Sequence, residues 1–167
     1  METVIRSIHE SELDTFLEVL KEGARWIAAN RIPMWNESDL TAHRLLDGLT
    51  INHFYAAYID GEIAAVMILL EEDSFFWPED QQNDALYLHK LCIRRKYSKT
   101  GLSGSMLAFA TNVAQSRNKS YLKLDCASDR PPLRQFYEKH GFQLVREANT
   151  VYPTAFYRLK IKSYAEA

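Results

Sequence analysis

A chain of 167 residues, 47% of them apolar or aromatic, has material for one hydrophobic core, and two full domains would be crowded. Twenty Lys and Arg against twenty-two Asp and Glu leave a formal net charge of -2, which argues against a nucleic-acid binder that works by neutralising phosphates. Six Gly and five Pro exclude fibrous and low-complexity classes, and two cysteines, Cys92 and Cys126, are too few for a disulfide framework or a zinc cluster. Both lie inside apolar runs and read as buried free thiols of a reducing compartment. The longest apolar stretch, residues 63–70, falls far short of the ~20 residues of a membrane span. Glu2 and Arg6 stand where a signal peptide would be basic and then apolar, so a cytoplasmic protein without a membrane partner is expected.

In chain order, residues 3–8 alternate as a strand. Ser11 with Asp14 resembles a capping box, and Leu13, Phe16, Leu17, Leu20, Ala24 and Ile27 recur at helical spacing for about five turns. Pro33 breaks that helix, and Ser38 is expected to cap a second one reaching about Leu46, with Trp35 in the connector. A strand over 53–60 ends at Asp60-Gly61, a strong two-residue hairpin signal, and the strand 63–70 follows. After an acidic and aromatic loop, 71–84, comes a third strand, 85–93. A polar run, 94–105, then opens a helix with Leu102, Met106, Phe109, Ala110 and Val113 on one face. The strand 121–126 returns, so strand, helix and strand form a crossover that pairs parallel strands. Asp129 and Pro131 start a short helix that Gly141 ends, and strands over about 142–150 and 156–161 close the chain. With no repeat and no linker, residues 1–167 read as one α/β domain on a mixed sheet.

The chemistry concentrates in two stretches. Between residues 87 and 104 a strand feeds a loop of Gly, Ser and Thr that opens a helix. Backbone N–H groups at a helix start are unpaired and partially positive, so they can cradle a phosphate, with Arg94, Arg95, Lys96 and Lys99 adding attraction. A solvated basic loop is the alternative, and neither a Walker motif nor GxGxxG is present. The second stretch, 122–142, reads LKLDCASDRPPLRQFYEKHGF.

Together these stretches resemble the GNAT family of acyl-CoA N-acyltransferases. Ser98, Lys99, Thr100, Gly101, Leu102 and Ser103 occupy the family's acyl-CoA loop, commonly Q/R-x-x-G-x-G/A, and FYEKxGF is present in full from Phe136 to Phe142. The order of elements matches from Thr3 to about Lys162. Three positions depart: Ser98 stands for the usual Arg or Gln, Ser103 for the second Gly, and Arg130 replaces an Asn that often lies near the pantetheine arm. The resemblance implies a single-domain, mixed and largely antiparallel sheet of about seven strands flanked by about four helices. That sheet splays open at the acyl-CoA site, between the strands 85–93 and 121–126. Acetyl-CoA is the implied cosubstrate, with no metal. Its pantetheine would pair with the backbone around Leu91, Cys92 and Ile93, its pyrophosphate would lie on the loop 98–104 that ends at Gly104, and Arg130 and Tyr137 would border it. The acceptor amine would enter near Trp35, Trp77 and the 71–73 loop (Glu71, Glu72, Asp73), where Trp26, Phe75 and Phe76 add to an apolar lid. A homodimer is allowed for.

Acetyl transfer to an amine needs the neutral amine. With a lysine-like pKa of about 10.4, roughly one in 2,500 is neutral at pH 7, a deficit of about 4.6 kcal/mol that a base or a desolvating site offsets. Tyr87 and His89 share one face of their strand by alternation, and the family frequently carries acid and base residues at these positions. His89 is either that base or a satisfied interior histidine. Tyr137 matches the family's motif tyrosine and is the candidate acid for the departing thiolate, or else a core aromatic beside Phe136. A covalent acyl-enzyme at Cys92 or Cys126 lacks a readable histidine and carboxylate beside either thiol. The reading is an acetyl-CoA-dependent N-acetyltransferase acting on a primary amine of a small molecule or peptide by direct attack; the alternative is a non-catalytic acyl-CoA-binding or regulatory module of the same fold.

Overall fold

The computed structural model describes residues 2–30, 36–80 and 83–163, so Pro33 and Trp35 lie outside it. Seven strands form one sheet in the order β1-β2-β3-β4-β5-β7-β6. They are β1 (Thr3–Ser7), β2 (Phe54–Ile59), β3 (Glu62–Leu70), β4 (Ala85–Ile93), β5 (Tyr121–Ala127), β6 (Gln143–Asn149) and β7 (Pro153–Lys160). The α-helices are α1 (Leu13–Ala29), α2 (Ala42–Leu45), α3 (Leu102–Ser116) and α4 (Pro131–Lys139). None of the described helices is long and apolar enough to cross a membrane.

The chain packs as two compact units, residues 1–68 with 90–107, and residues 69–89 with 108–167. In the first, β1 and β2 pair antiparallel, as do β2 and β3. Asp60 (φ +51) and Gly61 (φ +82) make the left-handed two-residue turn that the Asp-Gly pair predicts. Phe16, Leu17, Val19, Leu20, Ala24 and Ile27 form the buried stripe of α1, with the Phe16 ring 5.1 Å from that of Phe54. Helix entry differs from the capping box expected at Ser11. The Glu12 carboxylate takes the His9 N–H at 2.9 Å and the Arg6 guanidinium at 3.1 Å, so a single 3₁₀ turn, Glu10–Glu12, precedes α1.

The second helix also departs from expectation. Residues 37–39 form a 3₁₀ turn capped by Asn36, whose side chain takes the Ser38 N–H, and α2 begins only after Thr41 caps Arg44. Two competing caps five residues apart, with Leu40 turned inward to 3% exposure between them, divide what periodicity joins.

In the second unit β4 and β5 pair in parallel and β7 joins β5 and β6 antiparallel. The parallel pair spans only Ala85↔Tyr121 to Tyr87↔Lys123, whereas β5 stays paired with β7 as far as Ala127↔Thr154. β7 starts at Pro153, earlier than the Tyr152-Pro153 break suggests, because a strand's first residue tolerates proline. Trp77, expected in an apolar lid, is instead a core residue, 2% exposed among Ala85, Tyr87 and Phe156. Its indole stands edge-on to Phe156 at 5.3 Å and carries the Lys123 ammonium over its ring at 4.8 Å. Phe75, by contrast, is 66% exposed.

Candidate active site

In the first unit, β4 ends in a bend held by the Arg94 N–H on Ala64 C=O at 2.9 Å. A 3₁₀ turn, Arg95–Tyr97, follows. The Ser98 N–H closes it on Arg95 C=O, and the Thr100 hydroxyl donates to Tyr97 C=O at 2.6 Å. Lys99 (φ +62) and Gly101 (φ +83) are both left-handed, and this doubled reversal aims the chain into α3. Gly101 C=O already accepts the Ser105 N–H, so the N–H groups of Leu102, Ser103 and Gly104 belong to a first turn with no intrahelical carbonyl to meet. The buried Leu102 side chain pins this turn, and a Cβ on Gly101 would meet nothing within 4 Å. The loop therefore presents open backbone donors with a partial positive charge behind them.

Its four cations are not equivalent. Lys96 is held by the Glu62 carboxylate at 3.0 Å, which keeps its ammonium above the usual lysine range, and Tyr97 donates to the same carboxylate at 3.2 Å. Arg95 lies 4.1 Å over the Trp26 ring, so Trp26 serves as a platform for a cation. Lys99 is exposed, and Arg94 keeps its Nε buried without a hydrogen bond. Upstream, Leu91 and Ile93 are half-buried, and the Cys92 thiol donates to Val19 C=O at 3.6 Å. Lys90 (φ +56) is a left-handed residue within β4, a break in the strand that no glycine or proline announces.

In the second unit His89, from β4, meets two carboxylates. Its Nε2 lies 2.8 Å from Asp73 Oδ2, and one ligand atom each from Asp73, His89 and Asp125 fall within 4.8 Å of one another. Asp73 is fixed by its neighbours: Oδ1 accepts the Phe76 N–H at 3.1 Å, and its carbonyl accepts the Trp77 N–H at 2.9 Å. Asp125 Oδ2 accepts the Tyr152 hydroxyl at 3.0 Å. The trio has the donor types of a small cation site as well as those of an acid–base site. For Asp125 the sequence signal is a carboxylate inside the apolar run LKLDCA; for Asp73 the sequence supports, together with Glu71 and Glu72, a role in attracting a cationic amine or as an alternative base.

Tyr137 is 8% exposed on α4, with Phe136, Phe142 and Tyr157 around its ring. Burial, aided by Cys126 and Asp125, pushes its phenol well above the usual range, so it holds its proton at neutral pH. Tyr87 faces a different task. Its hydroxyl donates to Asp80 Oδ2 at 2.6 Å, and Lys123 Nζ reaches the same oxygen at 2.6 Å. Burial and the Asp80 hydrogen bond raise its pKa too. Glu71 is occupied as well, by Arg117 at 2.9 Å and Lys119 at 2.7 Å; burial alone would raise its carboxyl, but these cations hold it below the usual carboxylate range. Arg130 precedes α4 and its carbonyl accepts the N–H groups of Leu133 and Arg134. Burial pushes both the Cys92 and Cys126 thiols up to about 12.

The family model for acetyltransferases of the GNAT family matches residues 8–142. A Bacillus subtilis protein named YesJ, an uncharacterized N-acetyltransferase, is 25% identical over 140 residues, covering 80% of this chain and 78% of its own. Among solved structures, a GNAT-family acetyltransferase from Listeria monocytogenes superposes with a TM-score of 0.79 at 22% identity, covering 96% of this chain and 95% of that one. The PaiA N-acetyltransferase of Thermoplasma acidophilum, solved in complex with coenzyme A, gives 0.73 at 18% identity, with 96% and 99% covered. The strand–loop–helix with open N–H groups, the full-length likeness and the family match agree: the chain belongs to the GNAT family and is an acetyltransferase.

Proposed function

We propose that the protein moves an acetyl group from acetyl-CoA to a primary amine of a small molecule or peptide, in the cytoplasm, by direct attack on the thioester. The observation that carries this reading is the loop from Ser98 to Gly104, whose left-handed Lys99 and Gly101 leave the first N–H groups of α3 open to a pyrophosphate. Lys99 adds charge from its exposed position, and the backbone of Leu91, Cys92 and Ile93 offers pantetheine a strand to pair with. The amine nitrogen attacks the thioester carbonyl, its proton passes to His89, and the carbon–sulfur bond breaks as Tyr137 donates its proton to the leaving thiolate. Tyr87, with its hydroxyl on Asp80, supports the strand that carries His89 and transfers no proton. The acceptor passes the 71–73 loop, beside which the exposed Phe75 offers an apolar surface.

The test is calorimetric titration with coenzyme A, followed by thiol release from acetyl-CoA across a panel of amines. Binding with thiol release that depends on the amine is expected. Binding without release at any amine would favour an acyl-CoA sensor and overturn the proposed transfer.

A further inference from the structure

We propose that Asp73 is a positioning residue for His89: it fixes the tautomer with the proton on Nε2, turns the Nδ1 lone pair toward the acceptor amine, and stabilises the imidazolium that forms. This rests on the reading of His89 as the base.

Asp73 has only 7% of its side chain exposed, and Oδ1 is already spent on the Phe76 N–H. Oδ2 is buried with no hydrogen-bond donor, and so is His89 Nε2, 2.8 Å away. A buried carboxylate oxygen without a partner is costly, and the imidazole 2.8 Å away can supply a proton to it. The carboxylate sits off the line of the ring N–H, the loose alignment common in acid–base pairs before substrate binds. The ring keeps 21% exposure, and with Nε2 buried against Asp73 the role proposed for the amine's proton falls to Nδ1.

The orienting group is rigidly mounted. Trp77 donates its backbone N–H to the Asp73 carbonyl while its indole is locked in the core, and the Phe76 ring lies 6.3 Å from the imidazole. Asp125, from β5, is the second carboxylate near the ring. In the step itself one proton moves from the amine nitrogen to Nδ1. The resulting imidazolium has the Asp73 carboxyl on its Nε2 side.

A double-mutant cycle tests this, with kcat and coenzyme A affinity measured for the wild type, Asp73→Asn, His89→Ala and the double variant. Asp73→Asn is expected to lower kcat about ten- to a thousandfold with coenzyme A affinity kept, and to change kcat less than twofold in the His89→Ala background. An equal loss in both backgrounds would make Asp73 merely structural and overturn the proposal, as would full activity of Asp73→Asn beside an impaired His89→Ala. Full activity of His89→Ala would instead overturn the base reading on which it rests. Loss of activity with EDTA and recovery with a divalent cation would make the trio metal ligands and also overturn it. Nitrogen-15 NMR of the wild type gives an answer without any variant: neutral His89 with its proton on Nε2 supports the proposal, and the opposite tautomer refutes it.

Discussion

Replacing Gly101 by Val separates the fold's need for this glycine from the ligand's. At φ +83 an L-residue loses about 1–2 kcal/mol relative to glycine. The new Cβ itself meets nothing within 4 Å. For a chain of this size that conformational cost corresponds to a fall in Tm of roughly 2–8 °C. Gly61 supplies the control, since it sits at φ +82 with the same empty surroundings but in the β2–β3 turn. Gly61→Val and Gly101→Val should therefore lose similar stability. Only Gly101→Val should push a side chain into the space over the first turn of α3, weakening coenzyme A at least about tenfold, or ~1.4 kcal/mol. Thermal melts and calorimetric titration of both variants suffice. A folded Gly101→Val that binds coenzyme A normally, or a Gly61→Val that loses binding equally, would refute the assignment of the loop.

Tyr137→Phe keeps the ring packed among Phe136, Phe142 and Tyr157 and removes only the proton, so kcat should fall about ten- to a thousandfold with little change in Tm; an unchanged rate of the chemical step would return Tyr137 to the core. Tyr87→Phe removes a hydrogen bond to a carboxylate also held by Lys123, and should cost about 1.5–3 kcal/mol in denaturant unfolding; a loss of kcat without loss of stability would make its proton part of the reaction. Glu71→Gln should cost less than about 1 kcal/mol at pH 7, because the carboxylate is 38% exposed. As the folded carboxyl lies below its unfolded value, that difference should be full above about pH 4.3 and vanish as pH falls through the folded value, which melts of both proteins between pH 3 and 7 would show.

Elements with sharp local punctuation were legible in the sequence. β4 occupies the residues expected, the Asp60-Gly61 turn has the expected left-handed pair, and α4 begins at Pro131 and stops before a left-handed Gly141. Punctuation failed where signals competed. Asn36 and Thr41 both cap, so residues 37–45 became a turn and a short helix, and Lys90 adopts a conformation that its side chain does not advertise. The loop 98–104 could be read because a helix start needs local residues only. The Asp73–His89 approach could not, since it depends on the path of the 71–84 loop and on Trp77 being drawn into the core by Phe156, Tyr87 and Ala85. Counting aromatics in that loop suggested a lid, whereas burial, which composition does not report, makes Trp77 the anchor.

The two thiols have a consequence for any enzyme that handles thioesters. A thiolate near an activated acyl group exchanges with it, and such a protein would acylate itself instead of its acceptor. With burial raising both Cys92 and Cys126 to about 12, the thiolate is scarce at pH 7 and both are poor nucleophiles. The same silence extends to reagents. An aromatic disulfide added to the native protein should react with released coenzyme A long before it reaches either cysteine, so turnover can be followed continuously against almost no background from the protein.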